Sequence, residues 1–148
     1  ITEMLTGFDL VKEQIKLAYG EKLSINNEKT KIIGHAIECR INAEDPEKDF
    51  IPSPGKITKL FLPGGPGIRL DTHVYSGYTV HPFYDSLIAK IISLGKNRDD
   101  AITKMQRALS EVEIEGIKNT SYLHYKIMEN EKFRNGCINT SFLSENVF

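Results

Sequence analysis

The sequence predicts an α+β fold: an antiparallel sheet with helices packed against it. Three observations carry this. The periodic segments are segregated, with a helix first, several strands next and several helices last, and that order favours an antiparallel sheet over a doubly wound one. Ile37, Cys39 and Ile41 alternate strictly with Glu38, Arg40 and Asn42, the signature of a strand with one side on a core. The β-branched run Ile88, Ile91, Ile92 marks a second, buried strand.

Each element follows in order. Residues 6–19 read as a helix, with Asp9 in the first turn, a loose stripe of Leu10, Ile15, Leu17 and Ala18, and Gly20 as a stop. Asn26-Asn27-Glu28-Lys29 is a polar turn, and a strand over 31–43 follows it. Pro52, Pro54-Gly55 and Pro63-Gly64-Gly65-Pro66-Gly67 then punctuate the chain. The stretches 57–62 and 68–70 read as strands joined as a hairpin by the last of these. Tyr75-Ser76-Gly77-Tyr78 is a second turn, and 86–94 is the buried strand, ended by Gly95. Residues 97–111 form the clearest helix. Asn97 caps it, Asp99 and Asp100 suit its positive end, and Ala101, Met105, Ala108, Leu109 and Val112 fall on one face. Residues 113–116 are a short strand or turn. Helices over 119–128 and 141–145 complete the chain, with Gly136 breaking between them.

The 148 residues suit one domain, 1–148, and the net charge of −1 offers no basic footprint for nucleic acid. No apolar run reaches membrane-spanning length. Cys39 and Cys137 are far apart and build no disulfide framework, so a reducing cytoplasm is the default compartment. Cys39 falls on the apolar side of its strand and reads as a core residue. The chain opens on Ile1 without a start methionine. It therefore reads as a piece of something longer, with part of any active site upstream.

Few residues stand out chemically. His35, His73, His81 and His124 show no metal-ligand spacing, and no nucleophile elbow is present. Each reads as a structural or surface imidazole. Arg40 is different, because a guanidinium inside a strand must be paired or exposed. Glu38 or Asp85 could hold it, leaving free donors for a small oxyanion or a carbonyl oxygen. The polar side of this strand is then an anion-reading surface, or simply a solvated edge carrying an ion pair; the pattern leaves both open.

The residues also carry a family resemblance. Ile37-Glu38-Cys39-Arg40-Ile41-Asn42-Ala43-Glu44-Asp45-Pro46, with Pro52-Ser53-Pro54-Gly55-Lys56-Ile57 after it, resembles the carboxy-terminal domain of biotin carboxylase. So do Gly77-Tyr78-Thr79-Val80, Tyr84-Asp85-Ser86-Leu87-Ile88-Ala89-Lys90, Asn97-Arg98-Asp99 and Gly116-Ile117-Lys118-Asn119-Thr120. The similarity runs from Thr2 to Leu143 in order. Its wording is most similar to the biotin carboxylase subunit of bacterial acetyl-CoA carboxylase, with related blocks in propionyl-CoA, methylcrotonyl-CoA and pyruvate carboxylases.

The resemblance implies an ATP-grasp ligase that uses MgATP and bicarbonate to form carboxyphosphate. It then carboxylates N1′ of biotin on a biotin carboxyl carrier protein, beside carboxyltransferase subunits and within a homodimer. It places Arg40 at the bicarbonate and biotin site, near the ureido oxygen, makes Asp85 the candidate support for Arg40, and puts Thr140 near the adenine. Pro66 stands where some relatives carry an aromatic at the interface between protomers, and Arg69 follows in the expected place. The magnesium-binding glutamates, the general base and the ATP lysines are implied to lie upstream, so this piece alone is expected to be inactive. Two other readings stand beside it: a binding or interaction module that shares the fold, and a self-contained enzyme. The coding sequence upstream of Ile1 discriminates the carboxylase fragment from the interaction module.

Overall fold

The computed structural model describes residues 1–25 and 30–146, so the turn read at Asn26–Lys29 lies outside the described residues. The chain runs α1 (Thr2–Thr6), α2 (Leu10–Ala18), β1 (His35–Asn42), β2 (Glu44–Asp45), a 3-10 turn at Pro46–Lys48, β3 (Ile51–Pro52), β4 (Gly55–Lys56), β5 (Lys59–Phe61), β6 (Ile68–Thr72), β7 (Thr79–Val80), β8 (Leu87–Gly95), α3 (Arg98–Ser110), β9 (Glu113–Glu115), α4 (Ser121–Glu129), α5 (Glu131–Arg134) and α6 (Phe142–Asn146). The predicted α+β architecture is present. A three-stranded antiparallel sheet in the order β1-β8-β6 forms the centre, and three two-stranded antiparallel ribbons, β2-β3, β4-β7 and β5-β9, surround it.

The register explains the core. Cys39 lies opposite Ile91 and Ile41 opposite Ala89, while Leu70 of β6 meets Ile91 from the other side. Ile37, Cys39, Ile41, Ala89, Ile91 and Ser93 therefore share one face, and all are buried. The stripe of α3 packs on that face, with Ala101, Ile102, Met105 and Ala108 fully buried. Removing this apolar area from water, at about 25 cal/mol per Å², is the main force holding helix to sheet. Ser93 is the polar member of the interface, and its hydroxyl donates to the Ala101 carbonyl at 2.9 Å. Asn97 caps α3 as expected, its Oδ1 accepting from the Asp100 N–H at 2.9 Å.

Local punctuation is misleading in several places. The expected helix over 6–19 is α2 alone, starting at Leu10, because Asp9 caps it by accepting from the Lys12 N–H; a separate α1 precedes it and ends at Gly7, which adopts φ +75°. The expected hairpin between 57–62 and 68–70 does not form. Instead β5 pairs with β9, where Lys59 meets the Glu113 carboxylate at 2.6 Å, and β6 joins β8. The first strand begins at His35 rather than at residue 31. The short α5, capped by the Asn130 side chain, stands ahead of the break expected at Gly136.

α2 is inverted relative to an ordinary surface helix. Glu13 is 8 % exposed, whereas Val11 is 61 % and Ile15 is 54 % exposed. The Glu13 carboxylate takes a hydrogen bond from Lys16 Nζ at 2.8 Å and another from the Ser24 N–H at 3.2 Å. The bond from Lys16, and then those from Ser24, hold its pKa down to about 2, against 4.5 ordinarily. A carboxyl depressed on folding stabilises the fold fully above its unfolded pKa and loses that contribution as pH falls toward its folded pKa. Protection of the Ser24 amide from hydrogen exchange is thus expected to fall between pH 4.5 and about 2. Glu13→Gln should abolish this pH step. Unchanged protection across that window in the parent chain would refute the assignment.

Candidate active site at the end of β1

Because β1 is an edge strand of the central sheet, the outward backbone groups of its last residues need partners from elsewhere. The start of α4 supplies them. The Thr120 N–H donates to the Asn42 carbonyl at 3.1 Å, and the Asn42 N–H donates to Thr120 Oγ1 at 3.0 Å. The Thr120 hydroxyl then donates to the Arg40 carbonyl at 3.3 Å, and His124 Nε2 lies 2.8 Å from the same oxygen. A carbonyl only accepts, so Nε2 carries the proton. Burial lowers the His124 pKa, which the bond to Arg40 opposes. The imidazole is therefore a neutral donor at pH 7.

The other sequence blocks close on the same point. The Ala43 N–H donates to the Ser86 carbonyl at 2.7 Å, and the Ser53 N–H donates to the Ala43 carbonyl at 2.8 Å. The Lys118 N–H donates to Ser53 Oγ at 2.9 Å. Glu44 Oε1 accepts from Asn42 Nδ2 at 3.1 Å and from the Ser86 hydroxyl. Asn42 Oδ1 is buried and has no hydrogen-bond partner among the described residues. Three stretches, at Ser53, Ser86 and 118–124, thus converge on the end of β1.

Arg40 itself is exposed. It lies opposite Lys90 in the sheet register, and Lys90 lies opposite Asp71 on β6. The nearby acids are engaged elsewhere. Arg69 Nε meets Asp71 Oδ1 at 2.9 Å and its Nη1 meets Glu3 Oε2 at 2.5 Å, which raises the Arg69 pKa. Among the described residues, neither Arg40 nor Lys90 has a carboxylate within ion-pair distance. Like charges directly across two strands repel, and such a pair presents convergent donors to an anion.

Asp85 does not meet Arg40. Its Oδ1 accepts from the Leu87 N–H at 2.7 Å, the local bond that an aspartate two residues before a strand readily makes. It lines an open hollow of about 540 Å³ with His73, Tyr78, His81 and Tyr84. Thr140 is exposed in the turn before α6 and makes no hydrogen bond to the β1 end among the described residues. Sequence reasoning does not single out His124 or Glu44 for this site. The available signal is the four-residue spacing of Thr120 and His124, which puts both on one face at a helix start.

Among the described residues no three His, Cys, Asp or Glu side chains are placed to hold a metal ion. Burial pushes the Cys39 thiol up to about 12, which removes it as a nucleophile at neutral pH. No helix among the described residues is long and apolar enough to cross a membrane.

Comparison with known proteins gives the family. The family model of the biotin carboxylase C-terminal domain matches residues 38–145. Biotin carboxylase 1 of Bacillus subtilis is 55 % identical over 97 % of this chain, which spans 32 % of that protein. A pyruvate carboxylase subunit of Methanothermobacter thermautotrophicus is 54 % identical over 98 % of this chain, which spans 30 % of it. Among solved structures, the biotin carboxylase domain dimer of Hydrogenobacter thermophilus 2-oxoglutarate carboxylase, in complex with MgADP, ADP and bicarbonate, superposes with a TM-score of 0.96. It is 46 % identical over 98 % of this chain, which covers 32 % of it. The chain spans about a third of each of these relatives, and its own residues 38–145 place it in the family of biotin carboxylase C-terminal domains.

Proposed function

We propose that this chain forms one wall of a biotin carboxylase active site and that Arg40 is its reacting-centre residue. The observation that supports this reading is the exposed Arg40, set opposite Lys90 with no carboxylate on either among the described residues. Carboxylation of biotin requires N1′ to lose a proton, which pushes negative charge onto the ureido oxygen. A guanidinium fixed on a strand supplies preorganised donors to that oxygen and to the carboxyl group being transferred. The buried Asn42 Oδ1 fits a site completed by a donor from outside this chain, since an unpaired buried acceptor costs about 1–3 kcal/mol.

The rest of the reaction belongs to the remaining two-thirds of the relatives' length. ATP is bound there and carboxyphosphate is made at its boundary with this chain, where Arg40 contacts bicarbonate and biotin and Thr140 approaches the adenine from this side. Magnesium has no ligand set among the described residues, and its ligands are assigned to that same remaining part. Asp85 supports the site indirectly, by ordering the chain into β8 beside Asn42. In this reading the full-length protein is a cytoplasmic homodimer that serves a biotin carboxyl carrier protein and carboxyltransferase subunits. Its place is the first step of acetyl-CoA carboxylase in fatty acid synthesis, a choice supported by the Ile41–Asp45 and Pro52–Gly55 wording. The 54 % identity to the Methanothermobacter pyruvate carboxylase protein favours a pyruvate carboxylase as the second reading.

The 148-residue chain alone is expected to release no ADP and form no carboxybiotin from ATP, magnesium, bicarbonate and free biotin. The full-length protein should do both. Turnover by the chain alone overturns the division of labour, and a full-length protein without biotin-dependent turnover overturns the activity.

A further inference from the structure

The geometry points to His124 as the positioning residue that fixes Arg40, an inference that rests on the reading of Arg40 given above. The ladder between β1 and β8 slips between Ile41 and Asn42. Such irregularities let a strand bend and twist. The slip comes one residue after Arg40, where a small backbone rotation would swing a long side chain through several ångströms. Among the described residues, the outer edge of β1 is held at this point by α4 and its cap. Thr120 fixes Asn42 through a reciprocal pair of bonds, but its reach to the Arg40 carbonyl is long, at 3.3 Å. The 2.8 Å bond from His124 is the shorter restraint on that carbonyl.

The chemistry of the imidazole suits this task. Its position one turn into α4 places Nε2 over the strand edge, and the rigid ring leaves fewer rotamers to freeze than a flexible amine would. Being neutral, it adds no third positive charge beside Arg40 and Lys90, which would compete with them for an incoming anion. The bond is made to backbone, so it sets where the Arg40 side chain starts without occupying any of its donors. Holding a catalytic group within a fraction of an ångström is worth much in rate, because a displacement of about 1 Å can cost about 100-fold.

The test is made in the full-length carboxylase. His124→Leu removes the donor. His124→Gln places an amide nitrogen close to the position of Nε2, and His124→Asn is polar but too short to reach. The Leu and Asn variants are expected to lower kcat for biotin carboxylation about 10- to 100-fold, with the KM for ATP moving less than about threefold. The Gln variant should recover to within about threefold of the parent, since the donor is what matters. In an Arg40→Ala background, His124→Leu should add less than about twofold, because residues acting through one another are not additive.

Parent-like kcat in the Leu and Asn variants overturns the proposal. So does a Gln variant as slow as Asn, or full multiplication of the two losses in the double variant. Should the Leu variant fail to fold, the contrast between Gln and Asn decides. If Arg40→Ala is slow while Leu and Asn are fast, only the positioning role fails. If Arg40→Ala is itself parent-like, the reading of Arg40 has failed and this proposal falls with it.

Discussion

Arg40→Ala in the full-length carboxylase is expected to slow biotin carboxylation by about 100- to 1,000-fold while leaving ATP affinity within about threefold. Removing one preorganised donor from a developing oxyanion costs about 3–4 kcal/mol of barrier, and each 1.4 kcal/mol is about a factor of ten. The loss should fall on kcat, because the oxygen is more negative in the transition state than in bound biotin. Arg40→Lys should recover little, since an ammonium point charge cannot reproduce a planar fork of donors. Steady-state carboxylation with biotin varied, set beside the KM for ATP, measures both. An Arg40→Ala enzyme that binds ATP poorly but carboxylates at the parent rate would show that the guanidinium had been misassigned.

The second large effect concerns the segment that delivers α4 to β1. Gly116 sits at φ +96°, and a Cβ there would lie 2.1 Å from the Lys56 carbonyl oxygen and 3.1 Å from the Thr58 nitrogen. Both neighbours are backbone, and Thr58 is tied to the Glu115 carbonyl by a 2.9 Å bond, so neither can yield cheaply. Gly116→Ala combines a conformation that L residues rarely adopt, at about 1–3 kcal/mol, with overpacking of about 1–3 kcal/mol. A loss of about 4 kcal/mol from a fold of ordinary stability lowers Tm by about 8–16 °C. Thermal and urea melting of the 148-residue chain test this, and a midpoint within about 2 °C of the parent would contradict it.

What the sequence discloses and what it hides have a physical pattern. The strands β1 and β8 are legible because each buries alternate or successive apolar residues, and that pattern is local. α3 is legible because its cap and its stripe agree. The pairing partners are not. Pro63-Gly64-Gly65-Pro66-Gly67 is rich in turn residues, so the flanking strands read as a hairpin, yet β5 seeks β9 some fifty positions away. The charge match of Lys59 with Glu113 and Glu115 is visible in principle, but nothing local says which distant segment answers. Gly7 and Asp9 are both noticeable signals, a helix stop and a helix start two residues apart, and both lie ahead of the stripe that begins at Leu10, so the start read at residue 6 overran them.

The site divides in the same way. Arg40 draws attention because a charge inside a strand needs an explanation. Asp85 is offered to it because an acid in a motif block is a ready partner, but the nearest amide, that of Leu87, claims the carboxylate. His124 is passed over because its role is a bond to backbone, and sequence patterns describe side chains meeting side chains. Only the folded edge of the sheet reveals which carbonyl it serves.

The outward-turned flank of α2 has a practical consequence. Val11, Ile15 and Tyr19 leave wide greasy area in contact with solvent, and Ile32 and Ile33, further along the chain, are exposed as well. A polypeptide carrying such a ridge uncovered is drawn to any comparable surface. Handled as a separate species, the chain will self-associate as its concentration rises, and a mild detergent or a covering partner will keep it dispersed.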